Sequence, residues 1–163
     1  FFKQYSQAGL KDKVPLYSAF TVDSLSLPRL KDLAAGSLMT QFWAPDLPTP
    51  ITKIFVQDYR KKYGRYPTFY AAQSYDTIML IDSAVRAVNG NLSDKDGMRT
   101  AMRRAAFPSV RGSFKYGNNH FPIQNFYLRK VIKDSDGNYT TRIVKTVYTN
   151  HQDPYAKDCK MSW

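Results

Sequence analysis

The chain has 163 residues, 43% hydrophobic and 15% aromatic, which is enough for one domain with a sizeable core and excludes a disordered chain. Its 24 Lys and Arg against 13 Asp and Glu leave a net charge of +11, so nucleic acid and anionic surfaces enter as partner classes. The longest apolar run, residues 77–88, is broken by Asp82 and Arg86 and falls short of the about 18 residues of a membrane span.

In chain order, FFKQYSQAGL opens with Phe1, Phe2 and Tyr5 at helical spacing and Gly9 as a fitting stop. It has neither an initiator Met nor the charged-then-apolar layout of a leader, so a chain cut from a longer protein is expected. Residues 13–19 (KVPLYSA) predict a short strand with Pro15 at an end or edge. FTVDSLSL reads as a loop, followed by a short helix over 28–35, with Pro28 in its first turn and Gly36 beyond its end. Residues 37–43 (SLMTQFW) predict a second strand, and APDLPTP, with three prolines in seven residues, a stiff connector.

The clearest helix runs from Pro50 to Tyr63, with Ile51, Ile54, Phe55 and Tyr59 on one face and Gly64 as its stop. Tyr59 and Tyr63 read as packed core rings. A second long helix covers 69–88, ended by Asn89 and Gly90. Ser93, with Asp94 and Asp96 behind it, predicts the start of a third. The basic clusters YRKKYGR and MRRA fall at helix C-termini, where cations complement the helix dipole on a solvated face. From Val110 the texture turns to alternating apolar and polar residues, and Asp136 and Gly137 mark a hairpin turn. The fold class is therefore mixed α/β, with the changes of character near 44–50 and 107–112 as candidate crossings between lobes.

Chemistry of catalysis is not spelled out. Only His120 and His151 occur, neither with a second His or Cys at ligand spacing, and no G-x-S-x-G, P-loop or G-x-G-x-x-G is present. A non-enzymatic protein without metal or cofactor is expected. The single Cys159 excludes an internal disulfide. For nucleic acid, YRKKYGRYPTFY and RGSFKYG interleave basic and aromatic residues, but the second departs from the RNA-binding strand pattern after its glycine. A basic nucleic-acid-binding domain is retained as the reading from another class.

FVQDYRKKYGRYPTFYAAQSYDTIMLIDSAVRAVNG resembles a recurring stretch of type I periplasmic solute-binding proteins of ABC importers, in the branched-chain amino-acid (Leu/Ile/Val-binding) group. Tyr63 and Gly64, Pro67, and the pair Tyr75 and Asp76 carry the likeness; AGLKDKVPLYS and the region from Arg111 through the hairpin extend it along the chain. The resemblance implies the C-terminal part of a two-lobe α/β protein that binds a small molecule in its cleft. Residues 1–45 and 110–145 would belong to the second lobe, 46–109 would form helices packing on the first, and 146–163 would be a tail. It further implies a periplasmic location and a permease partner. The chain would also need its absent N-terminal half, or a second copy of itself. Nucleic acid is then not an expected partner.

In amino-acid-binding members an acid after the second-lobe strand receives the ligand ammonium; here that place holds Phe20, with Asp23 the nearest acid. The resemblance thus points to an aromatic carboxylate, stacked by Phe20, Phe42 or Trp43, with Tyr17, Ser18 or Thr21 as hydrogen-bond donors and Gln41 as the neighbouring amide. A branched-chain or other amino acid is the alternative ligand. The carboxylate-binding residues would lie largely in the absent lobe. Tyr70, Gln73 and Asp76 are further cleft-side candidates.

Overall fold

The computed structural model describes residues 1–161. A short helix α1 (Phe2–Gln7) precedes β1 (Tyr17–Ala19), α2 (Leu27–Leu30) with a 3-10 turn at Lys31–Leu33, and β2 (Leu38–Gln41). Then come α3 (Pro50–Tyr63), α4 (Phe69–Ala87) and α5 (Lys95–Arg104), followed by β3 (Lys115–Tyr116), β4 (Pro122–Lys133), β5 (Tyr139–His151) and a last 3-10 turn at Ala156–Asp158.

β1 and β2 run parallel, joined through α2, in the register Tyr17 to Leu38 and Ala19 to Thr40. β2 then pairs antiparallel with β4, Leu38 facing Lys130 and Gln41 facing Tyr127, and β5 pairs antiparallel along β4. Both predicted early strands are shorter than expected. Pro15 lies outside β1, and beyond Gln41 the chain leaves the ladder so that Phe42 and Trp43 turn into the core. The helix expected over 28–35 tightens into the 3-10 turn after Leu30.

The long helices follow their caps. Thr49 Oγ1 accepts from the Thr52 N–H (3.2 Å), Pro50 fills the first turn, and Gly64 closes α3 at φ 67°, a conformation that favours glycine. Thr68 Oγ1 accepts from the Ala71 N–H (3.0 Å) to open α4. α5 starts one residue later than expected: Asp94, not Ser93, caps it through the Gly97 N–H (2.8 Å), while the Ser93 N–H is held by Asn91 Oδ1. Arg60, Lys61 and Lys62 fill the last turn of α3, as the charge pattern predicts. Tyr63 corrects the expectation of a core ring: it is 52% exposed, with the Lys62 ammonium over its face.

Two apolar clusters hold these elements. Phe42, Trp43, Leu47, Val56, Phe69, Ala72, Val110 and Tyr127 join α3, α4 and the sheet, with Phe55 and Tyr75 packed against them. Phe2, Val22, Leu27, Ala34, Met39 and Val131 join α1 and α2 to the sheet. The two proline-marked connections lie side by side: the Thr52 hydroxyl donates to the Val110 carbonyl at 2.6 Å, fully buried. The hairpin turn is built on Asp134, whose Oδ1 accepts from the Asp136 and Asn138 N–H groups.

Candidate functional site

In parallel α/β sheets, ligands collect outside the carboxyl ends of the strands, where loops leave the sheet. Here those ends are Ala19 of β1 and Gln41 of β2, adjacent by register. The chain leaves β1 at Phe20 with φ 54°, a left-handed conformation costly for a bulky non-glycine residue. That backbone sets the Phe20 ring against Phe42 (centroids 5.8 Å) and Phe69 (5.6 Å, edge-on), with Phe42 and Phe69 edge-to-face at 6.3 Å. Phe42 and Phe69 are buried, whereas Phe20 is 44% exposed, so one aromatic face on a packed aromatic base remains open to solvent. Tyr70, 60% exposed, extends it from the first turn of α4, its ring 4.0 Å from that of Phe69.

A cation backs this wall. The Arg111 guanidinium lies 5.6 Å from the Phe42 centroid and 4.2 Å from that of Phe114, cation–π distances both. It is fixed by Asp76, whose Oδ2 accepts from Arg111 Nε (2.7 Å) and the Ser109 hydroxyl (2.6 Å), and whose Oδ1 accepts from the Val110 N–H (2.9 Å). Arg111 Nη1 also donates to Gln124 Oε1 at 3.2 Å. Nearby, burial pushes the Tyr116 phenol above its ordinary pKa.

The other sequence candidates fall in three environments. Tyr17 is exposed, and Thr21 donates its hydroxyl to the Ala19 carbonyl (2.9 Å), both on the open side of the loop. Ser18 and Gln41 present buried polar atoms without a protein hydrogen-bond partner. Trp43 is 1% exposed, with its ring edge-on to Phe55 at 6.0 Å. Of the cleft-side candidates, Tyr70 and Gln73 are exposed, while Asp76 is buried at the Arg111 anchor.

Two arginines escaped the sequence reading. Arg111 stands in a turn, where nothing marks it. Arg129 had a signal: in FYLRKVIK it holds an inward position between Tyr127 and Val131, where a charge breaks the apolar alternation. Its guanidinium is buried, and burial lowers its pKa to about 10 against the opposing fields of Asp46 and Asp23.

The chain matches the model of a family described as periplasmic binding protein over residues 1–138. It is 30% identical to Leu/Ile/Val-binding protein homolog 6 of Brucella abortus, an alignment covering 96% of this chain and 41% of that protein. Among solved structures, a solute-binding protein of an ABC transporter from R. palustris, in complex with benzoate, superposes with a TM-score of 0.83 at 28% identity. That match covers 98% of this chain and 42% of the other. A second, from Rhodopseudomonas palustris BisB5 in complex with 3,4-dihydroxy benzoic acid, gives 0.81 at 29% identity over 94% and 42%. The chain thus spans about two-fifths of the length of these relatives. With the family model matched along most of its length and these folds superposed on it, the chain belongs to the periplasmic binding protein family and carries part of its type I α/β fold.

Proposed function

We propose that the longer protein carrying this chain is the extracytoplasmic solute-binding component of an ABC importer, reversibly binding an aromatic carboxylate between two lobes. The observation that carries this reading is Phe20: a half-exposed ring held in a left-handed backbone at the carboxyl ends of two parallel strands, on a base of Phe42 and Phe69. A planar apolar group stacks or packs edge-on against such a wall. Phe20 stands where an ammonium-binding acid would be expected. The nearest acid, Asp23, uses Oδ1 to accept from the Leu25 and Ser26 N–H groups, shaping the loop that leads into α2. The benzoate and dihydroxybenzoate held by the similar R. palustris proteins agree with this ligand class.

In this reading Tyr17, Thr21 and Tyr70 rim the ring, Phe42 supports it, and Ser18, Gln41 and Trp43 form the layer beneath. Residues 1–45 and 110–145 belong to the second lobe and 46–109 to the first; of the expected tail 146–163, residues 146–151 instead continue β5 along β4 and go with the second lobe. The apolar residues Ile78 and Ile81, both exposed on α4, support this division, since the sheet of a first lobe would cover them. A periplasmic location and a permease partner follow from the same assignment. The chain has no catalytic role in it. The basic cluster at the end of α3 serves the fold instead: Arg60 pairs with Asp136 (3.1 Å) and lies over the Tyr66 ring, which speaks against a nucleic-acid surface.

A thermal-denaturation panel on the full-length protein tests the reading. Benzoate and hydroxybenzoates should raise the melting temperature, and leucine and valine should leave it unchanged. A rise with leucine alone would move the assignment to the amino-acid-binding branch.

A further inference from the structure

Buried polar side-chain atoms normally find a partner. Among the described residues, those without a protein partner concentrate in Ser18, Ser24, Gln41, Trp43 and Arg129. The register explains the grouping. Ser18 faces Met39 and Met39 faces Arg129, one row across β1, β2 and β4, and Gln41 follows two residues on along the same face. Ser24 lies in the loop after β1, and Trp43 just beyond β2.

A small cavity is lined by Ser24, Trp43 and Arg129, together with Asp23, Phe69 and Thr141. Three of these residues supply unpaired groups: the Ser24 hydroxyl, the Trp43 indole N–H, and Nε and Nη2 of Arg129. Arg129 is 3% exposed, and its remaining nitrogen, Nη1, donates to the Trp43 carbonyl and to Thr141 Oγ1, both at 3.1 Å. A guanidinium keeps its charge, yet among the described residues no carboxylate lies within ion-pair distance of this one. Asp23, which also lines the cavity, and Asp46 act on it through their charge without an ion pair, each already accepting backbone N–H groups.

We propose that this cavity is a binding site for a single halide anion of chloride size. The argument is chemical and geometric. Three nitrogens carrying four N–H bonds, and a hydroxyl that rotates to donate, belong to residues lining one cavity beside a fixed positive charge. A water offers two acceptor sites and no charge, whereas a halide accepts from all of them and neutralises the guanidinium. The cavity is small, which favours a single-atom anion over a carboxylate, phosphate or sulfate. The site also has a mechanical consequence. Its lining comes from the loop that presents Phe20, from the segment after β2, from the start of α4 and from the hairpin, so one ion clamps four elements together. This holds whatever ligand the outer wall takes.

The test uses the full-length protein. Crystals grown in bromide should show an anomalous peak within hydrogen-bond distance of Arg129 Nε and the Trp43 indole. In solution, the unfolding midpoint at fixed ionic strength should be higher in chloride or bromide than in gluconate. Arg129→Met should abolish that difference; Trp43→Phe, which keeps the packing, should weaken the apparent halide affinity about tenfold. If Arg129→Met does not fold, the Trp43→Phe titration decides. Density at the site without a bromide signal, or equal midpoints in gluconate and chloride, would identify the occupant as water and overturn the proposal.

Discussion

Asp76 is 1% exposed and its two oxygens serve three donors, one of them the Arg111 guanidinium, whose side chain is itself 9% exposed. Removing one partner of such a pair strands the other charge inside the protein. Asp76→Ala should therefore lower unfolding stability by about 3–5 kcal/mol, read as a shift of the urea midpoint. Phe20 behaves oppositely. Phe20→Asn loses two ring contacts but relieves a left-handed backbone that Asn tolerates, so stability should change by no more than ~1 kcal/mol while aromatic-acid affinity falls. Equal losses of both would make Phe20 a packing residue. At this scale the sequence was partly legible. Phe20 was singled out because it stands where an acid is expected. Asp76 was noticed, but its burial was not, since its partners Ser109, Val110 and Arg111 lie more than thirty residues away.

Among the elements, α3 and α4 were readable nearly to the residue because their ends carry local chemistry: Thr49 with Pro50, Thr68, and Gly64. Thr68→Ala should cost about 1 kcal/mol through the lost cap of α4, measurable by chemical denaturation. The strands were less legible. β1 and β2 are three and four residues long, set by where the neighbouring strand ends rather than by any local signal. The hairpin turn was foreseen at Asp136 and Gly137, but its anchor is Asp134. Burial works to raise the Asp134 pKa, yet bonds from the Asn138 N–H, the Tyr66 hydroxyl (3.0 Å) and the Asp136 N–H outweigh it and hold the carboxyl below its ordinary value. A depressed carboxylate contributes stability above its unfolded pKa and loses it as pH falls through the folded one. Acidification below about pH 4 should thus loosen the hairpin turn. Asp134→Asn should flatten that acid limb, as followed by amide exchange at residues 134–138.

For the whole molecule, the apolar surface of α4 matters most. Ile78 and Ile81 are 64% and 44% exposed, apolar surface on one helix that an isolated fold does not leave uncovered without consequence. The chain expressed alone should self-associate or require the rest of the polypeptide. The double variant Ile78→Lys with Ile81→Lys should shift it toward monomer in sedimentation, and a cooperatively folded, monomeric parent chain would contradict the lobe assignment. The order of short β-α-β, three helices and a hairpin was legible from the sequence. The mutual placement of the two proline-marked connections, joined by Thr52 and Val110, was not, because it rests on a contact 58 residues apart. The central claim is that the full-length protein binds an aromatic carboxylate against Phe20. Isothermal titration calorimetry with benzoate and with leucine, on the parent and on Phe20→Asn, tests it most directly. The account predicts saturable benzoate-class binding, weakened about tenfold or more in Phe20→Asn, and no leucine binding; leucine binding without benzoate binding, or an affinity indifferent to Phe20→Asn, would contradict it.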